Sequence, residues 1–241
     1  MLTGCFPTDP HIARMEMDFD HRVGARSFLL KHIPRNTVGA ELGVYTGLFS
    51  SLLAAEPKFT QVSFVDPWWQ KFGSHYPQDW GGYTDFGRVA TKKAYLLARE
   101  RIAKPGLAGR SVEVAYSQSW LNWMPDDSLD WVYVDCGFSY HDKMAEFKLL
   151  DRKLRKNGLI LGDDWWVDEI FTAVNDFIRT HAFDLVFAQN SQPGQWLLRR
   201  SYAQRHSEGG EEPWQNELRA DLGLSLPWSA TAHKRSLTGA P

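Results

Sequence analysis

The chain has 241 residues, a length that suits one large domain with a substantial core. Hydrophobic residues make up 43% and charged residues 23%, as in ordinary globular proteins. The formal net charge of −2 and the pI of about 6.4 provide no broad basic field, so we expect neither a nucleic-acid partner nor a membrane partner. No apolar run in the sequence approaches the roughly 20 residues of a membrane span.

The two cysteines, Cys5 and Cys136, are widely spaced, which favours a reducing compartment over a disulfide scaffold. Residues 2–5 resemble a lipoprotein cleavage box, but such a box follows an apolar segment, and only Met1 precedes it here. We therefore expect a cytoplasmic protein. The sequence leaves formation of a homo-oligomer open.

Hydrophobic periodicity predicts strands and helices that alternate along the chain. The predicted strands are 38–44, 62–66, 112–116, 129–135, 159–162, 184–188 and 195–199. The predicted helices are 18–32, 48–55, 85–103, 139–156 and 168–181. This order predicts an α/β fold with a doubly wound, mostly parallel seven-stranded sheet and an antiparallel last strand.

The same pattern divides the chain into three regions. Residues 1–35 are predicted to be a lead-in with one helix, and residues 36–200 the main domain. Within that domain, residues 67–84 form a long irregular stretch typical of a lid or binding loop. Residues 201–241 contain few apolar residues and are predicted to be a flexible tail.

A glycine turn between the first predicted strand and its helix is the first candidate site. Gly43 permits a sharp backbone turn, and Gly47 lets the helix begin close to a ligand. The helix start presents free N–H groups. Glu41 at the strand end would repel a pyrophosphate but suits a cationic ligand with an amino group, such as S-adenosylmethionine. The alternative is an ordinary turn of an α/β protein.

Asp66 ends the next predicted strand, where a carboxylate can bind both hydroxyls of a ribose. The turn and Asp66 together predict a nucleoside-binding βαβ unit. The chain also has 11 tryptophans, several of them at predicted strand ends. These side chains either fill the core and a lid or form the wall of a substrate pocket, where aromatic faces stack on sugars, rings or cations.

Three aspartates follow the fourth and fifth predicted strands: Asp135, and then Asp163 with Asp164. If these strands are neighbours, their ends lie roughly 5 Å apart, and uncompensated like charges so close are costly. Coordination to Mg²⁺ would remove that cost, although capping of the next helix would also explain Asp163 or Asp164. His141, near Asp135 on the following helix, is a candidate general base or a surface histidine.

The ordered motifs resemble those of class I S-adenosylmethionine-dependent methyltransferases, and most closely the macrocin O-methyltransferase-like branch. They are Glu41-x-Gly43-x-x-x-Gly47, Asp66, Ser117-Gln118-Ser119, Asp135-Cys136-Gly137-x-Ser139-Tyr140 and Gly158-Leu159-Ile160-x-Gly162-Asp163-Asp164. The resemblance implies a Rossmann-like domain over about residues 36–200. It implies the cofactor-binding residues Glu41, Gly43, Tyr45, Gly47, Ser50, Asp66, Gln118 and Ser119. It implies the Mg²⁺ ligands Asp135, Asp163 and Asp164.

The chain departs from that branch after the fourth strand, where relatives often read Asp-Gly-x-His-x-Tyr. Cys136 and Phe138 stand at the glycine and histidine positions, so Asp135 or His141 is the candidate base. The resemblance predicts a Mg²⁺-dependent O-methyltransferase that acts on a hydroxyl of a small molecule, of the sugar or natural-product type. The alternatives are a metal-independent methyltransferase acting on nitrogen or a carboxylate, and a non-catalytic nucleoside-binding module.

Overall fold

The computed structural model describes residues 24, 26–73, 76, 84, 87–189 and 194–201. The chain divides into two compact units, Met1–Gln204 and Arg205–Pro241, and the second lies outside the described residues, with nearly all of the predicted tail. Of the predicted lid loop, only residues 67–73, 76 and 84 are described. No helix among the described residues has both the length and the apolar character that a membrane crossing requires.

The described residues form seven strands and the helices that pack on them. The strands are β1 (Thr37–Leu42), β2 (Phe59–Asp66), β3 (Arg110–Val114), β4 (Leu129–Val134), β5 (Leu154–Gly162), β6 (Phe183–Ala188) and β7 (Trp196–Arg200). The α-helices are α1 (Leu48–Ala55), α2 (Trp68–Phe72), α3 (Thr91–Ala103), α4 (Ser117–Trp123), α5 (Tyr140–Lys153) and α6 (Asp168–Thr180). A 3₁₀ helix, Phe28–His32, precedes β1.

The strands form one sheet in the order β3-β2-β1-β4-β5-β7-β6. β7 is antiparallel to both of its neighbours, and the remaining described pairs are parallel, which confirms the predicted fold class. β1 pairs with β2 on one side and with β4 on the other. The sheet therefore grows outward in both directions from β1, and the crevice at the carboxyl ends of these strands is where such sheets bind ligands.

Alternation along β4 shows how the two faces of the sheet are covered. Trp131 and Tyr133 belong to the core on one face, while Val132 and Val134 belong to the core on the other. All four side chains are at most 1% exposed. β4 is therefore buried on both sides, as expected for the interior of a doubly wound sheet, and it fixes the position of the residue that follows it.

Helix α5 begins as its sequence indicates but ends three residues earlier than predicted. Ser139 Oγ accepts the backbone N–H of Asp142 at 3.1 Å, which caps the first turn. At the other end, the carbonyls of Arg152 and Lys153 accept N–H groups of the turn before β4 at 3.0 and 2.9 Å. These carbonyls are no longer available to a further helical turn, so the chain passes into β5 at Leu154.

Two short helices were not predicted. Helix α4 follows β3 and buries Trp120 and Leu121. Helix α2 lies inside the predicted lid loop, and positive φ angles occur at Trp68, Trp69, Lys71 and Phe72. A left-handed conformation costs about 1–2 kcal/mol per L-residue, so this turn needs outside support. Part of that support is a hydrogen bond of 2.7 Å from the backbone N–H of Trp68 to Asp66.

Candidate functional site

A cavity of about 900 Å³ opens at the carboxyl ends of β1, β2, β4 and β5. Most of the predicted site residues line it: Glu41, Gly43, Tyr45, Asp66, Gln118, Ser119, Asp135, Asp163 and Asp164. Gly47, Ser50 and His141 are not part of its lining. The structure therefore brings the predicted cofactor and metal residues into one space, with the exceptions of Gly47 and Ser50, and it leaves the predicted catalytic residue His141 outside the lining.

Glu41 is a buried carboxylate at the end of β1, 2% exposed. Its Oε2 atom has no hydrogen-bond partner within the described part of the chain. Burial raises the pKa of Glu41 well above its usual range; the Ser50 hydroxyl acts in the opposite direction, and Asp135 adds to the rise. A buried carboxylate with an unused oxygen is costly, and a cationic ligand in the cavity would remove that cost.

The two glycines of the turn have different structural roles. Gly43 has a φ of +93°, and a Cβ there would lie 2.0 Å from the carbonyl oxygen of Asp135, so glycine lets β1 and β4 end against each other. Gly47 has a φ of +79°, and its Cβ would lie 2.7 Å from the Cα of Ala98 on α3. Gly47 therefore allows close packing of α3 rather than the predicted approach of a ligand.

Asp66 holds the backbone on both sides of the site. Its Oδ2 accepts the N–H groups of Val44 and Tyr45, each at 3.0 Å, and its Oδ1 accepts that of Trp68 at 2.7 Å. A carboxylate offers about four acceptor positions, so one remains, on Oδ1. That leaves room for one hydroxyl of a ribose, where the sequence predicted two.

Aromatic side chains form the outer wall of the cavity. Tyr45 packs edge-on against Tyr76, with ring centroids 4.9 Å apart, and Trp69 lies beyond Tyr76. Phe138 and Trp166 are 42% and 49% exposed at the rim. Exposed aromatic faces stack on planar rings or sugars, so this wall suits an acceptor of that kind. Core filling is confirmed for Trp68, Trp131 and Trp196, whereas Trp69 and Trp166 line the cavity, where stacking on a substrate stays a prediction.

The predicted convergence of the aspartates is confirmed, but their predicted need for a metal is not. β4 and β5 are neighbours, with Val134 opposite Gly162, so Asp135 and Asp163 lie side by side. Arg26 lies between them: its Nη1 is 2.9 Å from Asp135 Oδ2, and its Nη2 pairs with Asp163 Oδ2. The expectation that these carboxylates lack a positively charged partner is therefore wrong, because an arginine from outside both motifs pairs with two of the three.

The second oxygen of Asp163 is also held by a donor. Gln195 Nε2 donates to Asp163 Oδ1, and Tyr133 OH donates to Gln195 Oε1 at 3.1 Å, which fixes the orientation of the amide. Mg²⁺ needs oxygen acceptors around it. Among the described residues, no three His, Cys, Asp or Glu side chains are placed to hold a metal ion. The predicted Mg²⁺ site therefore does not fit the residues present.

One further acid, Asp164, and one histidine, His141, remain among the predicted site residues. Asp164 is half-buried and lines the cavity beside Asp163. Burial, reinforced by Asp135 and then Asp163, raises the pKa of Asp164 to about 7. His141 is exposed on the first turn of α5, with its ring edge-on to Tyr140, outside the cavity lining. The structure therefore places Asp164, and not His141, where it can meet a bound acceptor.

Residues 40–165, slightly more than half of the chain, match a family described as a methyltransferase domain. The chain belongs to this methyltransferase family. The predicted class I, S-adenosylmethionine-dependent methyltransferase is thereby confirmed at the level of family and fold. The likeness to the macrocin O-methyltransferase branch stays a prediction. No protein with curated annotation is similar enough to the sequence to count as a match.

Solved structures similar to this methyltransferase share its fold. A methyltransferase from Geobacter sulfurreducens is 20% identical, with 82% of this chain and 92% of that chain covered and a TM-score of 0.52. A protein from Corynebacterium glutamicum is 13% identical, with 84% and 94% covered and a TM-score of 0.56. An rRNA methylase from Streptococcus thermophilus is 12% identical, with 73% and 94% covered and a TM-score of 0.52.

The sequence analysis of this methyltransferase missed a buried ion pair beside the cavity. Glu146 accepts the hydroxyl of Ser117 and the thiol of Cys136, and Lys143 Nζ lies 3.2 Å from Glu146 Oε2. Burial raises the pKa of Cys136 well above its usual range, and Glu146 adds to the rise, so the sulfur stays a thiol. A lysine and a glutamate three residues apart on a helix usually indicate a solvated face, so their spacing does not predict a buried ion pair.

Proposed function

We propose that this methyltransferase transfers the methyl group of S-adenosylmethionine to a hydroxyl of a small molecule, of the sugar or natural-product type. The observation that carries the proposal is the cavity, because one space joins the unpaired oxygen of Glu41, the carboxyl of Asp164 and the aromatic wall. Its volume of about 900 Å³ lies within the range of small-molecule sites.

The cofactor would occupy the β1–β2 side of the cavity. Glu41 would accept the ammonium of the methionine part, and the remaining position on Asp66 Oδ1 would accept one ribose hydroxyl. Gln118 and Ser119 line the cavity on α4, where an amide oxygen can accept the adenine amino group. Gly43 would contribute its tight backbone turn to the cofactor site, and Tyr45 would form part of the wall of that site.

The acceptor would enter between the cofactor and the aromatic wall, with Asp164 as the proton acceptor. A neutral hydroxyl is a weak nucleophile, and a positioned base with a pKa near the working pH activates it. Asp164 would take the proton of the acceptor hydroxyl, and the bound cofactor would supply the methyl group to that oxygen. Asp164 was not among the bases predicted from the sequence; of those two, His141 lies outside the cavity lining, and Asp135 is paired with Arg26, which makes it the weaker candidate.

Because one similar solved structure is that of an rRNA methylase, RNA is the comparison substrate in the test below. The lining of this cavity argues for a small molecule, because it contains Glu41, Asp66, Asp142 and Glu146 among its acids. A phosphate backbone is bound by basic side chains, and Arg26 is the only arginine or lysine among the described lining residues. Its guanidinium is buried and paired with two aspartates.

The test is transfer of tritium from S-adenosyl-[methyl-³H]methionine to a panel of phenols, catechols and hydroxylated sugars, with total RNA as the parallel substrate. We expect an ether product from the panel and no label on RNA. Label on RNA that ribonuclease releases, with none on the panel, would overturn the small-molecule assignment. Amines and carboxylic acids are added to the panel as well, and label on these with none on the hydroxylated compounds would overturn the assignment to a hydroxyl.

A further inference from the structure

We propose that Arg26 takes the place of a divalent cation in this site, so that the enzyme works without a metal ion. The exclusion of a metal rests on the geometry of three side chains, of which Arg26 and Asp163 are buried and Asp135 is 13% exposed. Only its consequence for turnover rests on the proposed function. Arg26 lies in the helical segment before the 3₁₀ helix, outside every motif that pointed to the site.

The guanidinium bridges the two strand ends with one nitrogen for each carboxylate. Nη1 is 2.9 Å from Asp135 Oδ2, and Nη2 pairs with Asp163 Oδ2. A bridging cation would coordinate oxygens of these same two carboxylates. Arginine holds its single positive charge at every relevant pH, and its planar fork fixes the spacing of two acceptors, so it supplies half the charge of a divalent ion and bridges the same two carboxylates.

Because Arg26 is buried, its displacement from this position by a metal ion would be costly. Its side chain is 5% exposed, and its guanidinium carbon lies 5.9 Å from the centre of the Phe49 ring. Displacement by a divalent ion would leave a buried guanidinium without its two counter-charges, which is strongly unfavourable. The resident arginine and a metal therefore exclude each other.

The two other oxygens of Asp163, Oδ1 and the backbone carbonyl oxygen, also accept hydrogen bonds from protein donors. Gln195 Nε2 donates to Oδ1, and Trp196 Nε1 donates to the backbone carbonyl of Asp163 at 2.8 Å. Asp163 is 4% exposed, so these contacts and Arg26 fill its surroundings. Arg26 is a positioning residue in this arrangement: its single positive charge pairs with both Asp135 and Asp163, and Asp164 is left as the acid that faces the acceptor.

The experiment uses Mn²⁺ as the probe, because free and protein-bound Mn²⁺ differ in their electron paramagnetic resonance signals. The full chain is titrated as wild type, as Arg26→Ala and as Arg26→Ala with Asp163→Asn. We expect no binding to the wild type, binding of one Mn²⁺ to Arg26→Ala, and loss of that binding in the double variant. Mn²⁺ should also raise the melting temperature of Arg26→Ala but not that of the wild type.

Arg200→Ala is the matched control, since it removes an arginine–aspartate pair with Asp151 away from the cavity lining, and it should not gain Mn²⁺ binding. Stoichiometric binding to the wild type that Asp163→Asn abolishes would overturn the proposal. A folded Arg26→Ala protein that binds no Mn²⁺ would overturn it as well.

If Arg26→Ala does not fold, Arg26→Gln replaces it, and the wild-type titration still decides. Turnover of the wild type should be the same with and without a chelator. Absence of turnover on every acceptor would count against the proposed function alone, because the Mn²⁺ titrations do not depend on an acceptor.

Discussion

The carboxylate of Asp66 lies 3.0 Å from the backbone nitrogen of Tyr45 and joins the end of β2 to the glycine turn after β1. The same oxygen accepts the N–H of Val44, and the other accepts that of Trp68. One side chain therefore sets the positions of two loops that border the cavity. Asp66 is as much a structural residue of this site as a candidate ligand residue.

Asp66→Asn should destabilise the protein by about 2 kcal/mol, because the NH₂ that replaces one carboxylate oxygen cannot accept and at least one buried N–H loses its partner. Urea unfolding followed by circular dichroism measures the loss. Asp127→Asn is the control: it is the same change at an exposed residue with a φ of 52°, which asparagine tolerates. Equal stability of the two variants would show that Asp66 does not hold these loops.

Gly43→Ala should cost about 3 kcal/mol or more, because the new methyl would lie 2.0 Å from the backbone oxygen of Asp135 and the backbone has a φ of +93°. Gly106→Ala separates the two causes. Its φ is +67°, but nothing lies within 4 Å of its new Cβ, so it should cost only about 1 kcal/mol. Thermal unfolding of both variants measures the difference. Similar losses would mean that backbone conformation alone, and not contact with β4, requires glycine at position 43.

Glu41→Gln should weaken binding of S-adenosylmethionine by about 1.5–3 kcal/mol, the range for a hydrogen bond to a charged group. Because burial raises the pKa of Glu41, the wild type should bind more tightly as the pH rises and the carboxyl ionises. Calorimetry between pH 6 and 8.5 measures both effects. The variant should lose this part of the pH dependence, and an affinity equal to that of the wild type would remove Glu41 from the cofactor site.

Asp164→Asn should lower turnover by at least about 100-fold if Asp164 accepts the hydroxyl proton. The wild-type rate should rise with pH towards a plateau above the Asp164 pKa of about 7, where the base is ionised. The variant should be slow and flat across this range. The measurement is kcat against pH under saturating cofactor; a variant with the wild-type profile would exclude Asp164 as the base.

The same carboxyl predicts a dependence of stability on pH. Its pKa is raised from 3.8 to about 7 on folding, so the folded state keeps a proton that the unfolded state releases. The free energy of unfolding should therefore fall as the pH rises from about 4 to about 7, by roughly 1–3 kcal/mol for this half-buried group. Asp164→Asn should remove that fall in urea unfolding at pH 5 and 8, while Asp127→Asn should keep it.

Local patterns were enough to predict the sheet and most of the acids around the cavity. Glu41, Asp66, Asp135 and Asp163 each follow or end an apolar strand, and parallel strands bring their carboxyl ends to one edge. The N-cap at Ser139 was also readable from the chain, because its partner lies only three residues away.

The contacts that decide the chemistry could not be predicted from the sequence, because they join distant parts of the chain. Arg26 is 137 positions from Asp163, and helical periodicity indicates only which side chains of such a segment are apolar. The early end of α5 has the same cause, since its last carbonyls bond to a turn that precedes the helix by a whole strand. Motifs predict which acidic side chains meet at the edge of the sheet. They do not predict which basic residue from another part of the chain pairs with them.

Both side chains that hold the carboxylate of Asp163, Arg26 and Gln195, lie outside the span 40–165 that matches the methyltransferase family. A protein trimmed to start at residue 36 would keep all three aspartates and lose their counter-charge. With Arg26 in the role proposed above, the residue at position 26, upstream of the matched span, determines whether the enzyme requires magnesium. An arginine there would make activity independent of cellular magnesium, and a neutral residue there would couple it to magnesium supply.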